Sequence, residues 1–452
     1  MISKRAVSGR YKTIVASLGI ALIAAGTANA NPQPRVFNQI DVRGNERFRD
    51  QDVIVSSGLQ TGILLGQEDL VAAVEALEYT GEFEDIVITS EDDTLIITVD
   101  ETPTYTGGLT FGLGYDTNNG VFGVAGLSID DAFGTAAQLR GNLFFADEVQ
   151  TLRFQIRSED FWSEGTRGGV RASYGNYEYD NTTFQFETAK VEPYVVFDAW
   201  DRGAFELRYT FARSDIKNVD AAASPIIQGE AGALNNSGVG FSFATGSSFF
   251  DAERPPLDGW SLRFDQDFTG LGGDTELSFS RLSLAARKQL SANGFAIRTR
   301  IEMGAVVGLG SDAPRASERV SLGGARLRGF ERGTIAPRDV CLGCGAGGAD
   351  QTTLLGGNYY AVARTDVLIP IFPSRPEFET FAFFDIGSAW NVDTTTAPSG
   401  TLDDGKDWRR AFGIGASFDT QLGKFEAYYA LDSDGNAFDE VQEFGLTFRT
   451  QF

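Results

Sequence analysis

The sequence predicts a mainly β protein, a sixteen-stranded transmembrane antiparallel β-barrel preceded by one small α+β domain. Three observations carry that expectation. An export signal opens the chain, and no later segment approaches the ~18 apolar residues that a membrane helix needs. Turn and strand formers are abundant, with 53 Gly, 36 Phe and 13 Tyr among 452 residues. From Tyr105 onward, alternating apolar and polar segments recur between turn residues.

The signal comes first in the chain. Lys4, Arg5, Arg10 and Lys12 form a positive start, and Thr13 to Gly26 is an apolar run broken only by Ser17 and Gly19. Ala28-Asn29-Ala30 supplies the small residues of a cleavage site, which predicts a signal over 1–30. The whole chain carries a net charge of −24, and the signal holds four bases and no acid, so the mature protein is more acidic still. Such acidity argues against nucleic acid or anionic lipid as the partner.

Residues 34–103 have a different rhythm and are predicted to form the small front domain. Val36 to Val42 reads as a short strand, Gly44 to Phe48 as a turn, and 50–57 as a helix. A second helix is predicted over 68–79, with Leu70, Val74 and Leu77 on one face and Gly81 ending it. Residues 83–89 and 94–100 then form a hairpin around Glu91-Asp92-Asp93, with Leu95, Ile97 and Val99 on one side. The result is a three-stranded sheet with helices on one face. Its free edge could accept an extended chain by strand addition; the plainer reading is a domain that plugs or supports the barrel.

Residues 104–452 are predicted to be the barrel. Candidate strands lie at about 106–116, 120–130, 134–146, 149–160, 166–177, 182–197, 203–216, 236–250, 258–269, 274–288, 293–308, 354–369, 377–390, 408–419, 422–433 and 438–452. The three longest gaps, 217–235, 309–353 and 391–407, all follow odd-numbered strands, so all fall at one end. Gaps after even-numbered strands are mostly short, as short periplasmic turns and long outer loops require. In the last strand, Phe444, Leu446, Phe448, Thr450 and Phe452 alternate with Glu443, Gly445, Thr447, Arg449 and Gln451, an apolar face opposite a polar one.

One loop stands out. Leu327-Arg328-Gly329-Phe330 lies in a Gly-rich stretch inside the longest gap. Two strands that read as lining an aqueous lumen offer carboxylates: Gly356-Gly357-Asn358 is followed by Asp366, and Asp385 sits in Phe384-Asp385-Ile386-Gly387. An arginine flanked by Gly and Phe with two such acids predicts a loop folded back into the barrel and pinned there by charge. Gly107, Gly108, Gly112 and Gly114 load the first strand, and glycines inside a strand weaken its packing and pairing.

Chemistry is sparse. The chain has no histidine, which removes the commonest base and metal ligand. It carries no nucleophile elbow and no phosphate loop. Asp432-Ser433-Asp434-Gly435-Asn436 is a poor calcium loop and reads as a hairpin tip. Cys341 and Cys344 are the two cysteines, and in an exported protein their spacing predicts a structural disulfide. No catalytic residue, metal or cofactor is predicted.

Taken together, these residues resemble the BamA/TamA superfamily of outer-membrane assembly and translocation proteins. Ile40 to Phe48, Tyr79-Thr80-Gly81-Glu82-Phe83 and Val99 to Pro103 are similar to a POTRA domain, here present once. Arg328-Gly329-Phe330 resembles the signature of the family's inward-folded sixth outer loop. Gly356-Gly357-Asn358 with Asp366, where the family usually has Glu, resembles the twelfth-strand motif, and the stretch through Gly387 resembles the thirteenth-strand motif. Asp251, Pro255, Pro256 and Gly259 are similar to the turn before strand nine.

The resemblance implies an outer-membrane barrel with its POTRA-like domain in the periplasm. It implies a weak seam between the first and last strands, near Gly107 to Gly114 on one side and Gly445 and Phe452 on the other. Such a seam would open sideways to insert or translocate unfolded outer-membrane or exported polypeptides, with a periplasmic partner at the POTRA edge strand. The alternatives are a passive channel and a dedicated exporter of the two-partner secretion type.

Overall fold

The computed structural model describes residues 35–450 apart from 46–49, 67–68, 71–72, 75, 78–82, 92, 102–106, 133–136, 159–160, 163–165, 201–202, 247–258, 291–294, 373–377 and 421–422. The expected signal over 1–30, the helix stop at Gly81, the turn through Asp251, Pro255 and Pro256, and the terminal Phe452 lie outside the described residues. The chain divides into two compact units, Met1–Thr104 and Tyr105–Phe452.

The front unit contains β1 (Arg35–Val36), β2 (Gln39–Arg43), α1 (Asp50–Ser57), β3 (Leu64–Leu65), β4 (Phe83–Glu91) and β5 (Thr94–Glu101). Residues 69–70, 73–74 and 76–77 are also helical. β5 is the centre of a three-stranded sheet, parallel to β2 and antiparallel to β4. Its period-two alternation puts Leu95, Ile97 and Val99 into one core with Val53, Leu59, Ala73 and Leu77. Gly44 turns the chain out of β2 at φ +86°, where a Cβ would lie 2.1 Å from the Val99 carbonyl oxygen.

The second unit runs β6 (Gly107–Asp116), β7 (Gly120–Ala132), β8 (Ala137–Ala146), β9 (Val149–Ser158), β10 (Thr166–Tyr177), β11 (Gln185–Trp200) and β12 (Gly203–Lys217). After α2 (Pro225–Gly229) come β13 (Gly232–Gly246), β14 (Gly259–Gly273), β15 (Leu277–Gln289) and β16 (Ala296–Gly308). The long loop that follows holds β17 (Gly329–Phe330), β18 (Arg338–Cys341) and β19 (Gln351–Leu354). The chain then returns as β20 (Tyr359–Ile369), β21 (Phe378–Trp390), the short β22 (Thr401–Asp403), β23 (Arg409–Thr420), β24 (Gly423–Asp434), the short β25 (Val441–Gln442) and β26 (Phe444–Thr450).

Sixteen of these form one antiparallel sheet ordered from β26 round to β6, and the five short strands lie outside it. Among the described residues no helix is long and apolar enough to cross a membrane. The strands alternate as a barrel in lipid must. Leu109, Phe111, Leu113 and Tyr115 of β6 are exposed on the outer face, while Phe122 and Val124 of β7 are buried on the inner one. The inner wall carries ion pairs such as Arg208 with Asp267 at 2.6 Å and Arg281 with Asp265 at 3.0 Å.

Several boundaries depart from the sequence expectation. The eighth strand begins at Gly232 where 236 was predicted, the ninth runs on to Gly273 past the predicted 269, and the twelfth begins at Tyr359 where 354 was predicted. The last strand is shorter than the predicted 438–452, because Val441 and Gln442 leave the sheet and pair with Phe330 and Gly329 of the long loop.

The three long loops share a small core of their own. Ala223, Ile226 and Ile227 pack with Phe184, Ile216, Leu355 and Val392. Asp339 ties them, accepting from Ser224 Oγ at 2.6 Å, the Ser399 amide at 2.6 Å and the Gly400 amide at 3.0 Å. α2 lies within the predicted 217–235 gap, started by Ser224-Pro225, where Ser224 Oγ accepts from the Ile226 amide at 3.2 Å.

Candidate functional site

The site has two parts, a charged junction that fixes the long loop in the lumen and an unzipped seam between the two ends of the sheet. Each residue of the loop motif has its own task at the junction. Gly329 adopts φ +87°, a left-handed conformation that favours glycine. Phe330 is fully buried in a cluster with Leu322, Leu327 and Ile335 of the loop and Phe381, Phe383 and Tyr428 of the wall.

Arg328 is fully buried and meets three carboxylates. It grips Asp385 with two parallel bonds, Nε to Oδ2 and Nη2 to Oδ1, both 2.8 Å, and its amide also donates to Oδ2 at 3.2 Å. Nη2 reaches Asp366 Oδ1 at 2.6 Å, so the shorter Asp side chain spans the distance. Nη1 lies 3.5 Å from Glu426 Oε1, a third partner absent from the sequence reading. The guanidinium also sits 4.0 Å from the centroid of the Phe383 ring. A second layer holds these acids. Arg298 Nε donates to Asp366 Oδ2 at 3.0 Å, and Arg364 Nη2 donates to Glu426 Oε1 at 3.4 Å.

The glycine motifs are contact surfaces for the loop. A Cβ on Gly387 would lie 3.1 Å from Leu322 Cδ1 and 3.3 Å from Leu327 Cδ1. Gly357 exchanges backbone hydrogen bonds with Val320 at 2.8 and 2.9 Å. Gly356 takes φ +76° beside Arg319, and the buried Asn358 donates its amide to the Asn391 carbonyl at 2.8 Å. The structure joins Cys341 and Cys344 in a disulfide at the end of β18, away from this junction.

The seam is different in kind. Fifteen strand-to-strand ladders link neighbours from β6 to β26, yet among the described residues β6 and β26 themselves share no ladder. Thr117, just beyond β6, carries the hydrogen bonds found there. Its amide donates to the Leu446 carbonyl at 2.9 Å, and its hydroxyl accepts from the Leu446 amide at 3.2 Å. Asp116 holds the turn that presents Thr117, accepting from the amides of Asn118 and Asn119 at 2.8 and 2.7 Å. Nothing in the sequence marked Thr117 beyond its place in a turn.

The strand-one glycines leave the pairing with β7 intact. All of β6 is in register with β7, from Gly107 opposite Ile129 to Asp116 opposite Gly120, so Gly107, Gly108, Gly112 and Gly114 do not break that ladder. At Gly114 the absent side chain supplies room. A Cβ on Gly114 would fall 2.4 Å from Phe122 Cζ, the ring of its cross-strand partner lying over it. Gly445 is matched in the same way, 2.1 Å from the ring of Tyr428.

Phe448 gives the seam its geometry. It pairs with Phe425 on the outer parity of the sheet, at 4.5 Å between ring centroids. Yet it also stacks at 5.3 Å on Phe122, which belongs to the inner face of β7. That contact draws the end of β26 toward the inner face of the sheet. Phe448 therefore does not simply face lipid, as the alternation predicted, and it meets the ring that lies over Gly114.

Comparison with known proteins agrees with this architecture. Residues 131–452 match the Omp85 superfamily domain. The outer membrane protein assembly factor BamA of Neorickettsia risticii (strain Illinois) is 22% identical over 396 residues, which cover 84% of this chain and 51% of that protein. The chain thus spans about half the length of that relative. The crystal structure of BamA from Haemophilus ducreyi lacking POTRA domains 1–3 superposes with a TM-score of 0.68 at 21% identity, over 91% of this chain and 84% of that one. CdiB from Acinetobacter baumannii gives a TM-score of 0.46 at 13% identity, over 92% and 74%. With its barrel domain matched over most of the chain, this protein belongs to the Omp85 superfamily.

Proposed function

We propose that this protein inserts or assembles outer-membrane polypeptides through the seam between β6 and β26. A sixteen-stranded barrel of this superfamily is an outer-membrane protein. The observation that carries the proposal is the missing ladder at the seam, held by Thr117 and the Phe448 stack. An unpaired backbone group facing lipid costs several kcal/mol. Edges left open in a barrel are therefore templates awaiting a partner, and an incoming strand that pairs with one lowers its own free energy. No covalent step or cofactor enters this mechanism.

Two further features support the reading. The Arg328 junction keeps the lumen loop in place while the seam opens. The long loops braced by Asp339 favour a sideways exit over passage outward through the lumen, which weighs against a passive channel or a dedicated exporter. On this reading the front unit is a POTRA-type domain in the periplasm. Its edge strands β2 and β4 would receive an extended client or a periplasmic partner.

The test uses purified protein in liposomes and a urea-denatured barrel client. Client folding faster than in empty liposomes supports insertion. Solute conductance with no gain in client folding would replace the proposal with the channel reading, and client released into the vesicle interior would replace it with the exporter reading.

A further inference from the structure

The lumen loop touches both sides of the open seam. On the β26 side, Gly329 and Phe330 pair with Gln442 and Val441, and the Glu331 amide donates to the Glu440 carbonyl at 2.9 Å. On the β6 side, Arg332 Nη2 donates to Asn119 Oδ1 at 2.7 Å, within the turn that Asp116 holds. The Arg332 carbonyl accepts from Asn181 Nδ2 at 2.5 Å, which fixes the far end of the stretch to the loop between β10 and β11. Residues 329–332 thus span a gap that the barrel's own ladder leaves unpaired.

Register puts two like charges at the centre of this bridge. With Phe330 opposite Val441, the next antiparallel pair is Glu331 and Glu440, and like charges directly opposite one another destabilise a ladder. The Glu331 amide bond to the Glu440 carbonyl holds the two side chains next to each other. Ionised carboxylates only accept, so a hydrogen bond between them needs one proton held by the pair. We propose that residues 329–332 form a clasp across the seam, and that the Glu331–Glu440 pair is its catch, closed while the pair holds a proton and loosened when both carboxyls are ionised. The clasp deepens the lateral-seam reading of function and rests on it.

The surroundings favour the shared proton. Glu148, from the turn between β8 and β9, and Asp180, from the loop between β10 and β11, add negative charge, and Arg332 is the base beside Glu148. Asp439, next to Glu440, is neutralised by Arg338 and Arg409. Tyr179 lies under the Arg332 guanidinium, 5.5 Å from ring centroid to charge centre. The Glu440 hydrogen bond first, then burial, then the neighbouring acids push the Glu331 carboxyl up to about 7. Because the pKa is raised, the catch is fully present below the ordinary glutamate range and is lost as pH rises through about 7.

The experiment measures the seam itself. Nitroxide labels on Val121→Cys and Phe444→Cys, both exposed positions on opposite sides of the seam, report their distance in liposomes by pulsed dipolar spectroscopy. The native cysteines form a disulfide and take no label. We expect one short distance at about pH 5 and a longer, broader population at about pH 8.5, with Glu331→Gln holding the short distance at both. Identical distributions at the two pH values, or a Gln variant that titrates like the parent, would overturn the clasp. A pH-dependent distance with client insertion that ignores pH would uphold the clasp and remove the functional reading beneath it.

Discussion

The Arg328 junction and the β6–β26 seam close the same barrel by opposite means. At the junction, one arginine answers Asp385, Asp366 and Glu426, and Arg298 and Arg364 hold those acids from behind. At the seam, among the described residues, one threonine and a ring stack stand where every other neighbouring strand pair has a ladder. The difference teaches where this barrel can move. Buried charges are costly to separate, so the wall from β20 to β24 and its loop behave as one body, whereas the seam parts at the loss of few bonds. The loop belongs to both regions, pinned at residue 328 and bridging the seam at residues 329–332.

The largest expected effect is at the junction. Arg328→Ala removes the innermost partner of three buried carboxylates that Arg298 and Arg364 then compensate only in part, so the loss should approach but not exceed the ~3–5 kcal/mol of breaking a dry buried pair. Heat-modifiability on gels and assembly yield should both fall. Arg328→Lys keeps the charge but cannot grip Asp385 with two parallel bonds, so it should rescue only part. Parent-like stability in Arg328→Ala would mean that packing around Phe330, and not charge, holds the loop.

Next in size is Gly114→Val. Its side chain would collide with the Phe122 ring and push it off Phe448, at a cost of about 1–3 kcal/mol. Cysteines flanking the seam should then cross-link more slowly. An unchanged rate would show that the Phe448 contact across the seam does not depend on the room at Gly114.

Phe448→Leu is gentler. It removes two ring contacts, each worth about 0.5–1.5 kcal/mol, while keeping an apolar side chain. The thermal midpoint should drop slightly and client insertion should speed up. The smallest effect is expected for Cys341→Ser with Cys344→Ser. The disulfide closes a very short loop at the end of β18, so the barrel's midpoint should stay where it is.

How much of this was legible in the sequence follows from the physics of each part. Strand number and the gathering of the three long loops at one end were readable because lipid outside and water inside impose a period of two on every strand. Arg328 with Asp366 and Asp385 was readable because an arginine between Gly and Phe is out of place in a solvated loop. Glu426 was not, since a lone acid on a lumen face looks solvated until the loop folds onto it. The seam was hidden for another reason. Phe448 keeps perfect alternation, and its contact with Phe122 depends on how β26 meets β6 across the seam. The pairing of Val441 with Phe330 spans more than a hundred residues and leaves no local trace.

The central claim is that the seam must part for the protein to work, and a cross-link tests it most directly. Thr117→Cys with Leu446→Cys places one cysteine on each side of the bonds that now hold the seam. The oxidised protein should keep its fold and heat-modifiability yet lose client insertion, and reductant should restore it. Insertion at the parent rate by fully cross-linked protein would contradict the account.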